Sequence, residues 1–208
     1  MFTGIVEELG TLSAMESLPT GARLHISCST VLEDVHLGDS IAVDGVCLTV
    51  TTFSSTGFCA DAMAETLRRS TLGKKRAGDI LHLERAMAAN GRFGGHFVLG
   101  HVDDTGRILS LQEEGFATKM RIGASSAILE GIVEKASVAI DGVSLTVMAF
   151  DRESFTVGLI PHTKEHTHFS RARPGDLVNL ETDILGKYAR KIPATSGLTT
   201  EDLLRAGF

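Results

Sequence analysis

The sequence predicts an all-β protein: two tandem homologous six-stranded antiparallel Greek-key barrels, followed by a C-terminal α-helix. Three observations carry this expectation. Residues 40–50 (SIAVDGVCLTV) and 137–147 (SVAIDGVSLTV) are identical at eight of eleven positions. The match continues from Gly4, Val6 and Gly10 to Gly100, Val102 and Gly106 at an offset of 96, then at 97 from Arg76-Ala77-Gly78-Asp79 to Arg173-Pro174-Gly175-Asp176. Each copy of about 85 residues is long enough for one small core. Each also carries about six short runs rich in Val, Ile, Thr and Phe between turn signals, and closing such a unit into a barrel removes its exposed edges.

In the first copy the strand-like runs are residues 3–12, 22–28, 40–44, 46–53, 57–62 and 79–84; in the second they are 99–108, 117–122, 137–141, 143–150, 154–159 and 176–181. Asp44-Gly45 and Asp141-Gly142 separate consecutive runs and read as hairpin turns, where positive φ favours Gly and tolerates Asp. Between the fifth and sixth runs, MAETLRRSTLG and IPHTKEHTHFS have too little periodicity for a long helix and predict a helical turn or two. Asn90-Gly91 and Gly94-Gly95 mark a flexible crossing. The expected division is an N-terminal barrel with linker (1–95), a C-terminal barrel (96–184) and a helical oligomerisation segment (185–208). In that last segment Leu185, Tyr188 and Ile192 form an apolar stripe ending near Pro193. Thr199 or Thr200 is placed to cap a second short helix, with Glu201 and Asp202 in its first turn.

With 43% hydrophobic and 22% charged residues the chain can bury ordinary cores. No apolar run is long enough to cross a bilayer, and the start MFTGIVEELG lacks a signal-peptide pattern. The expected location is the cytoplasm. A net charge of −6 gives no general attraction for nucleic acid, and Lys74-Lys75-Arg76 reads as a solvated turn. Cys28, Cys47 and Cys59 form no CxxC pair and leave an odd count, so reduced thiols are the default. Neither a phosphate loop nor a dinucleotide fingerprint is present, which favours an uncharged substrate and no cofactor.

The informative positions are those where the copies differ: Cys47 against Ser144, Glu65 against His162, Ile5 against His101, Phe2 against Val98, and Gly38-Asp39 against Lys135-Ala136. Thr49 and Thr146 should share a strand face with Cys47 and Ser144. Each copy then presents a Cys/Ser-Leu-Thr edge suited to a planar heterocycle. Cys47 is either a buried small hydrophobe or a nucleophile. His162, His166 and His168 (HxxxHxH) invite a metal reading, but no Cys or carboxylate completes a signature, and no metal is expected. His96 and His101 lie in GGHFVLGH, whose Gly-rich junction singles out His101.

MFTGIVEELG, GVCLTV with GVSLTV, GGHFVLGHVD and LIPHT, in this order and over essentially the whole chain, resemble the riboflavin synthase family of lumazine-binding repeat enzymes. The resemblance implies dismutation of two 6,7-dimethyl-8-ribityllumazine molecules to riboflavin and a ribitylaminopyrimidinedione, without metal or organic cofactor. It further implies a homotrimer held by C-terminal helices, with the reacting pair between the N-barrel of one subunit and the C-barrel of another, and an association with lumazine synthase. By match to the family motif, the first pocket uses Gly4, Ile5 and Val6, then Cys47, Leu48 and Thr49, then Asp61, Ala62, Met63, Ala64, Glu65 and Thr66. The second uses Gly100, His101 and Val102, with Lys135, then Ser144, Leu145 and Thr146, then Gly158, Leu159, Ile160, Pro161, His162 and Thr163. Backbone groups are expected to read the pyrimidinedione, and Glu65, Thr66, His162 and Thr163 to hold ribityl hydroxyls; some family members carry Glu where this chain has His162. The catalytic candidates are His101 for proton transfer, Cys47 at the acceptor, Phe2 covering the rings, and Ser144 with Thr146. Asp183 matches a family carboxylate and equally suits a helix start.

A non-catalytic lumazine- or flavin-binding antenna protein is the competing expectation. Retention of Cys47, His101 and both Cys/Ser-Leu-Thr edges favours the enzyme, since a carrier of one ligand needs only one pocket. A flavin reductase barrel fits less well, because no nicotinamide-binding domain follows.

Overall fold

Strict alternation builds each wall: in GARLHIS, Ala22, Leu24 and Ile26 point into the barrel while Arg23 and His25 point outward. The computed structural model describes residues 1–191 and residue 205. Strands β1 (Glu8–Leu18), β2 (Gly21–Ser27), β3 (Ser40–Val43), β4 (Val46–Ser54), β5 (Gly57–Met63) and β6 (Ile80–Arg85) close a barrel in the order β1-β2-β5-β4-β3-β6. The second copy repeats it with β7 (Asp104–Glu114), β8 (Ala117–Gly123), β9 (Ser137–Ile140), β10 (Val143–Phe150), β11 (Ser154–Leu159) and β12 (Leu177–Thr182). All pairings are antiparallel, with bulges at matching places in the two copies, between Leu12 and Ala14, Val50 and Thr52, Ile108 and Ser110, and Val147 and Ala149. A bulge bends its strand and sharpens the twist, which closes a small barrel. Each interior is filled by its own apolar cluster, around Leu24, Phe58 and Leu83 in one barrel and Met120, Phe155 and Leu180 in the other.

The helical pieces α1 (Ala64–Arg69) and α3 (Pro161–Glu165), each followed by a 3-10 turn, fall where expected. A short helix α2 (Ser126–Leu129) was without a sequence signal of its own. Helix α4 (Ile184–Lys191) carries the predicted stripe, with Leu185 and Tyr188 58% and 66% exposed; Ile192 and the second short helix lie outside the described residues.

The first strand of each copy starts later than its hydrophobic pattern suggests, at Glu8 and Asp104 instead of residues 3 and 99. The residues before them leave the barrel wall, and Phe2 and Val98 pair as an isolated antiparallel bridge between the two copies. Gly94-Gly95 is also no loose crossing: a Cβ on Gly95 would lie 2.1 Å from the Thr3 carbonyl oxygen.

The two Asp-Gly turns form as predicted, with φ of 46° and 77° at Asp44 and Gly45 and 45° and 80° at Asp141 and Gly142. They also meet tip to tip, because a Cβ on Gly45 would sit 2.5 Å from the Gly142 nitrogen. Gly45→Ala combines a strained φ with backbone overlap and is expected to cost about 3 kcal/mol. Urea unfolding checks this; a loss below about 0.5 kcal/mol, within the range of an ordinary surface change, would mean the tips do not bear on each other.

Candidate active site

The segments before β1 and β7 act as straps, and they cross. Gly4 accepts a hydrogen bond from the Ser144 N–H (2.8 Å), whereas Gly100 accepts one from the Cys47 N–H (2.9 Å). Val6 packs on the C-terminal core and Val102 on the N-terminal core. The grouping read from the motifs, Gly4 to Val6 with Cys47 and Gly100 to Val102 with Ser144, is therefore corrected: each strap lies on the sister barrel. The physical cause is the Phe2–Val98 bridge, which carries both straps over the junction. Close approach requires glycine at both contacts, where φ is +79° and +78° and a Cβ would stand 2.6 Å from the Cβ of Ser144 or Cys47.

Two buried carboxylates at matching positions fasten the straps. Glu84 in β6 accepts from the N–H groups of Thr3 (2.6 Å) and Gly4 (3.0 Å) and from the Thr3 hydroxyl. Glu181 in β12 accepts from the N–H groups of Leu99 (2.8 Å), Gly100 (2.9 Å) and His101 (3.1 Å). Burial pushes both carboxyls above their ordinary range, and the backbone donors pull them back. Neither was singled out from sequence. The available signal was a Glu that recurs at one repeat offset within an apolar strand, in ILHLER and LVNLET.

A cleft of about 320 Å³ opens beside the strap that precedes β7, lined by Cys47, Met63, Glu65, Thr66, Gly100 and His101, with Arg69 alongside. It exists because β4 pairs with β5 only from Val50 onward. Over Val46 to Thr49 that edge is free, and Gly100 takes part of the missing ladder. Backbone groups of alternate residues share a side, so the Thr49 amide faces the same edge as that of Cys47. Side chains follow the burial pattern: Cys47 and Thr49 lie outside the barrel wall, while Leu48, Ala62 and, in the second copy, Leu145 and Leu159 are buried in the barrels and offer a ligand only backbone. The exposed Glu65 is held by Arg68 and by Arg69 (2.8 Å), which keeps its carboxyl below the usual range. Asp61 points away, in a two-point pair with Arg23 (2.7 and 2.9 Å). Ala64 is half-buried at the start of α1.

Beside the strap that precedes β1, the Ser144 hydroxyl meets His96 Nδ1 at 2.7 Å. Burial lowers the His96 pKa, and the charge of Asp183 opposes this, so a neutral imidazole beside a serine hydroxyl is the arrangement at neutral pH. His96 thus joins the site, which its place in GGHFVLGH did not predict. Asp183 also caps α4, its Oδ1 accepting from the Leu185 N–H (2.9 Å). Thr146 is exposed on the same strand face as Ser144; Ile5, Ile160, Pro161 and His162 are exposed as well, with Gly158 and Thr163 half-buried. Lys135 stands exposed at φ +67°, its N–H on the Val147 carbonyl.

One further expectation is corrected, and the histidines of the HxxxHxH run divide. Phe2 does not cover a bound ring: it is wholly buried at the junction, packed with Ala42, Val98 and Ala139 and backed by Cys47. The three histidines of HxxxHxH do not gather. His162 and His166 stack on the surface with centroids 4.1 Å apart, whereas His168 turns inward and stacks on His82 at 3.7 Å. His82, His168 and Asp44 offer ligand atoms within 4.8 Å of one another. That cluster is already engaged: His82 Nδ1 donates to the Asp141 carbonyl and Nε2 accepts from the His168 N–H, both at 2.9 Å, and Lys75 lies 2.6 Å from Asp44. No helix among the described residues is long and apolar enough to cross a membrane.

Comparison with known proteins agrees with this geometry. A family model, Lumazine binding domain, matches residues 3–86 and 99–183, one match per barrel. The chain is 49% identical over 215 residues to riboflavin synthase of Actinobacillus pleuropneumoniae, with all of both chains covered. It is 48% identical over 188 residues to riboflavin synthase of Bacillus subtilis, covering 90% of this chain and 87% of that one. Among solved structures, LumP complexed with riboflavin superimposes with a TM-score of 0.81 at 22% identity over 88% of this chain and 99% of that one, and LumP complexed with 6,7-dimethyl-8-(1'-D-ribityl) lumazine does so at 0.78. The structural likeness speaks for the fold; the near-half identity along the whole length goes further, and with a match on each barrel the chain belongs to the lumazine-binding repeat family, among its riboflavin synthases.

Proposed function

We propose that the chain catalyses riboflavin synthesis by dismutation. Two molecules of 6,7-dimethyl-8-ribityllumazine react, a four-carbon unit passes from one to the other, and riboflavin and 5-amino-6-(D-ribitylamino)uracil leave. The observation that carries this reading is the crossed pair of straps over two open strand edges, two positions of common ancestry with different polar groups, Cys47 and His101 at one and Ser144 and His96 at the other. Two such edges suit a reaction that consumes two copies of one molecule.

The free edges at Cys47 to Thr49 and Ser144 to Thr146 supply donors and acceptors for the two pyrimidinedione rings, which fixes ring orientation. Holding both reactants face to face turns a bimolecular step into an intramolecular one and supplies much of the acceleration. The 7-methyl group of one lumazine loses a proton and the resulting carbanion attacks the other ring. His101 is the group proposed for this proton, since imidazole exchanges protons near neutrality. Glu65, Thr66, His162 and Thr163 hold ribityl hydroxyls. No cofactor takes part. Assembly as a homotrimer through α4, whose Leu185 and Tyr188 are exposed, would set the N-barrel pocket of one subunit against the C-barrel pocket of another; lumazine synthase is the proposed protein partner, and the cytoplasm the proposed location.

The test is to incubate purified protein with 6,7-dimethyl-8-ribityllumazine, without added metal or cofactor, and follow products by chromatography. One riboflavin and one pyrimidinedione should appear per two lumazines consumed; tight binding without turnover would favour the antenna reading. His101→Ala and Cys47→Ser are expected to lower turnover more than ligand affinity, by about 100-fold for His101→Ala if it carries the proton. Unchanged turnover in both would remove these assignments.

A further inference from the structure

Glu16, His25 and Cys59 stand side by side on the outer face of the N-terminal barrel, on the adjacent strands β1, β2 and β5. His25 pairs with Cys59 across β2 and β5, which puts Cys59 Sγ 3.2 Å from His25 Nδ1. On the other side of the ring His25 Nε2 lies 3.0 Å from Glu16 Oε1. Leu24, Ile26, Phe58 and Ala60 occupy the barrel interior, so the same alternation that fills the core turns His25 and Cys59 outward.

The Glu16 oxygen lies off the Nε2–H axis, so it stands behind the ring as a negative charge on the side away from the sulfur. A thiol facing one nitrogen, with a carboxylate behind the other, has the order of nucleophile, base and orienting group. Arg23, on the same face as His25, adds positive charge within reach of the sulfur, shared with Asp61. A cleft of about 270 Å³ opens beside His25 and Cys59, with Ser27, Thr52, Phe53 and Thr56 among its other walls. The trio is not needed to close a barrel of this type. In the second copy the same positions hold Gln112, Arg121 and Thr156, and Arg121 is engaged by Ser154 and Asp151 instead.

We propose that Cys59 is a reactive thiol, activated by His25 and Glu16, and forms a covalent modification site for soft carbon electrophiles on the outer wall of the N-terminal barrel, separate from both lumazine pockets. The thiol proton passes to His25 Nδ1 and the sulfur electron pair attacks the electrophilic carbon. With an alkyl iodide the C–S bond forms as the C–I bond breaks, iodide leaves, and the imidazolium returns its proton to water.

Iodoacetamide on the intact protein at neutral pH, followed by peptide mass spectrometry against time, tests this. Cys28 is the internal reference, because burial and the Glu8 charge push its thiol up to about 12. Cys59 should be alkylated at least about tenfold faster than Cys28, and His25→Gln should slow Cys59 by about tenfold. Riboflavin formation by the same variant, expected at the parent level, reports that it is folded. If His25→Gln does not fold, the exposed Glu16→Gln carries the test with a smaller slowing. Alkylation of Cys59 no faster than Cys28, or a Cys59 rate unchanged in the folded variant, overturns the proposal.

Discussion

Glu181→Ala is expected to lower riboflavin formation by about 100-fold and stability by about 3 kcal/mol. The carboxylate is 3% exposed and accepts three backbone N–H groups of the strap. Alanine leaves these donors without an acceptor beside a barrel wall, each costing about 1–3 kcal/mol before water enters. The larger consequence is positional. The strap places His101 over Cys47, and a displacement of about 1 Å in a two-ring reaction is enough for a 100-fold loss. Crossing gives this variant a signature that simple destabilisation lacks. Glu181 belongs to the C-terminal barrel, yet its loss should expose Cys47 in the N-terminal pocket. Glu84→Ala should disturb the Ser144 pocket and leave Cys47 covered. Peptide-mapped alkylation of Cys47 reads the difference; equal Cys47 rates in the two variants would mean the straps do not act separately. Glu181→Gln, which keeps one carbonyl acceptor, should recover part of the activity.

The same crossing marks where sequence reading stopped. Strand identity, the Asp-Gly turns and the duplicated barrel were legible because period-2 alternation and positive-φ glycines are local properties. Residues 3–7 and 99–103 carry the same alternating pattern as a wall strand, but what they bury lies in the other barrel, and no local signal distinguishes the two cases. The Cys47-Leu48-Thr49 and Ser144-Leu145-Thr146 edges were legible as faces. That they are open edges depends on where β4 and β10 cease to pair with β5 and β11, which the sequence does not mark. Phe2 illustrates a third limit: the family resemblance implied a cover for the rings, and only the bridge to Val98 makes it a buried support. His168 was read with His162 and His166 because of spacing. The 3-10 turn from His168 to Arg171 rotates it inward, away from the surface pair.

Asp44→Ala should be the most destabilising single change at the junction, by about 3–5 kcal/mol, because it leaves the half-buried Lys75 ammonium and the buried His82 N–H without their acceptor. Asp44 is fully buried, with Lys75 Nζ 2.6 Å from Oδ2 and His168 Nε2 3.3 Å from Oδ1. Burial works to raise its carboxyl, but the contacts with His168 and Lys75 outweigh this and hold it below the usual range. For Asp141, burial and the Asp44 charge win and push it to about 7. His82 is pushed down to about 3 by burial and by His168, while the two carboxylates raise His168 against its own burial.

These shifts oppose one another in a defined window. Between about pH 6.5 and 4 the unfolded chain protonates His82 and the folded chain does not, so this residue removes stability as pH falls. Over the same range the folded chain holds a proton on Asp141 that the unfolded chain lacks, which adds stability as pH falls. The His168 contribution is already complete below its unfolded value and changes only as pH rises. The junction of the parent protein should therefore be nearly indifferent to pH in this window, and single substitutions should unbalance it. Asp141→Asn removes the gain and should lose up to about 1.4 kcal/mol per pH unit relative to the parent on acidification. His82→Asn, which copies the arrangement of Asn179 in the second barrel, removes the loss and should gain stability relative to the parent over the same range. Urea midpoints at pH 6.5, 5.5 and 4.5 read both slopes. Parallel profiles for the three proteins would mean that His82 and Asp141 do not hold their protons in this way.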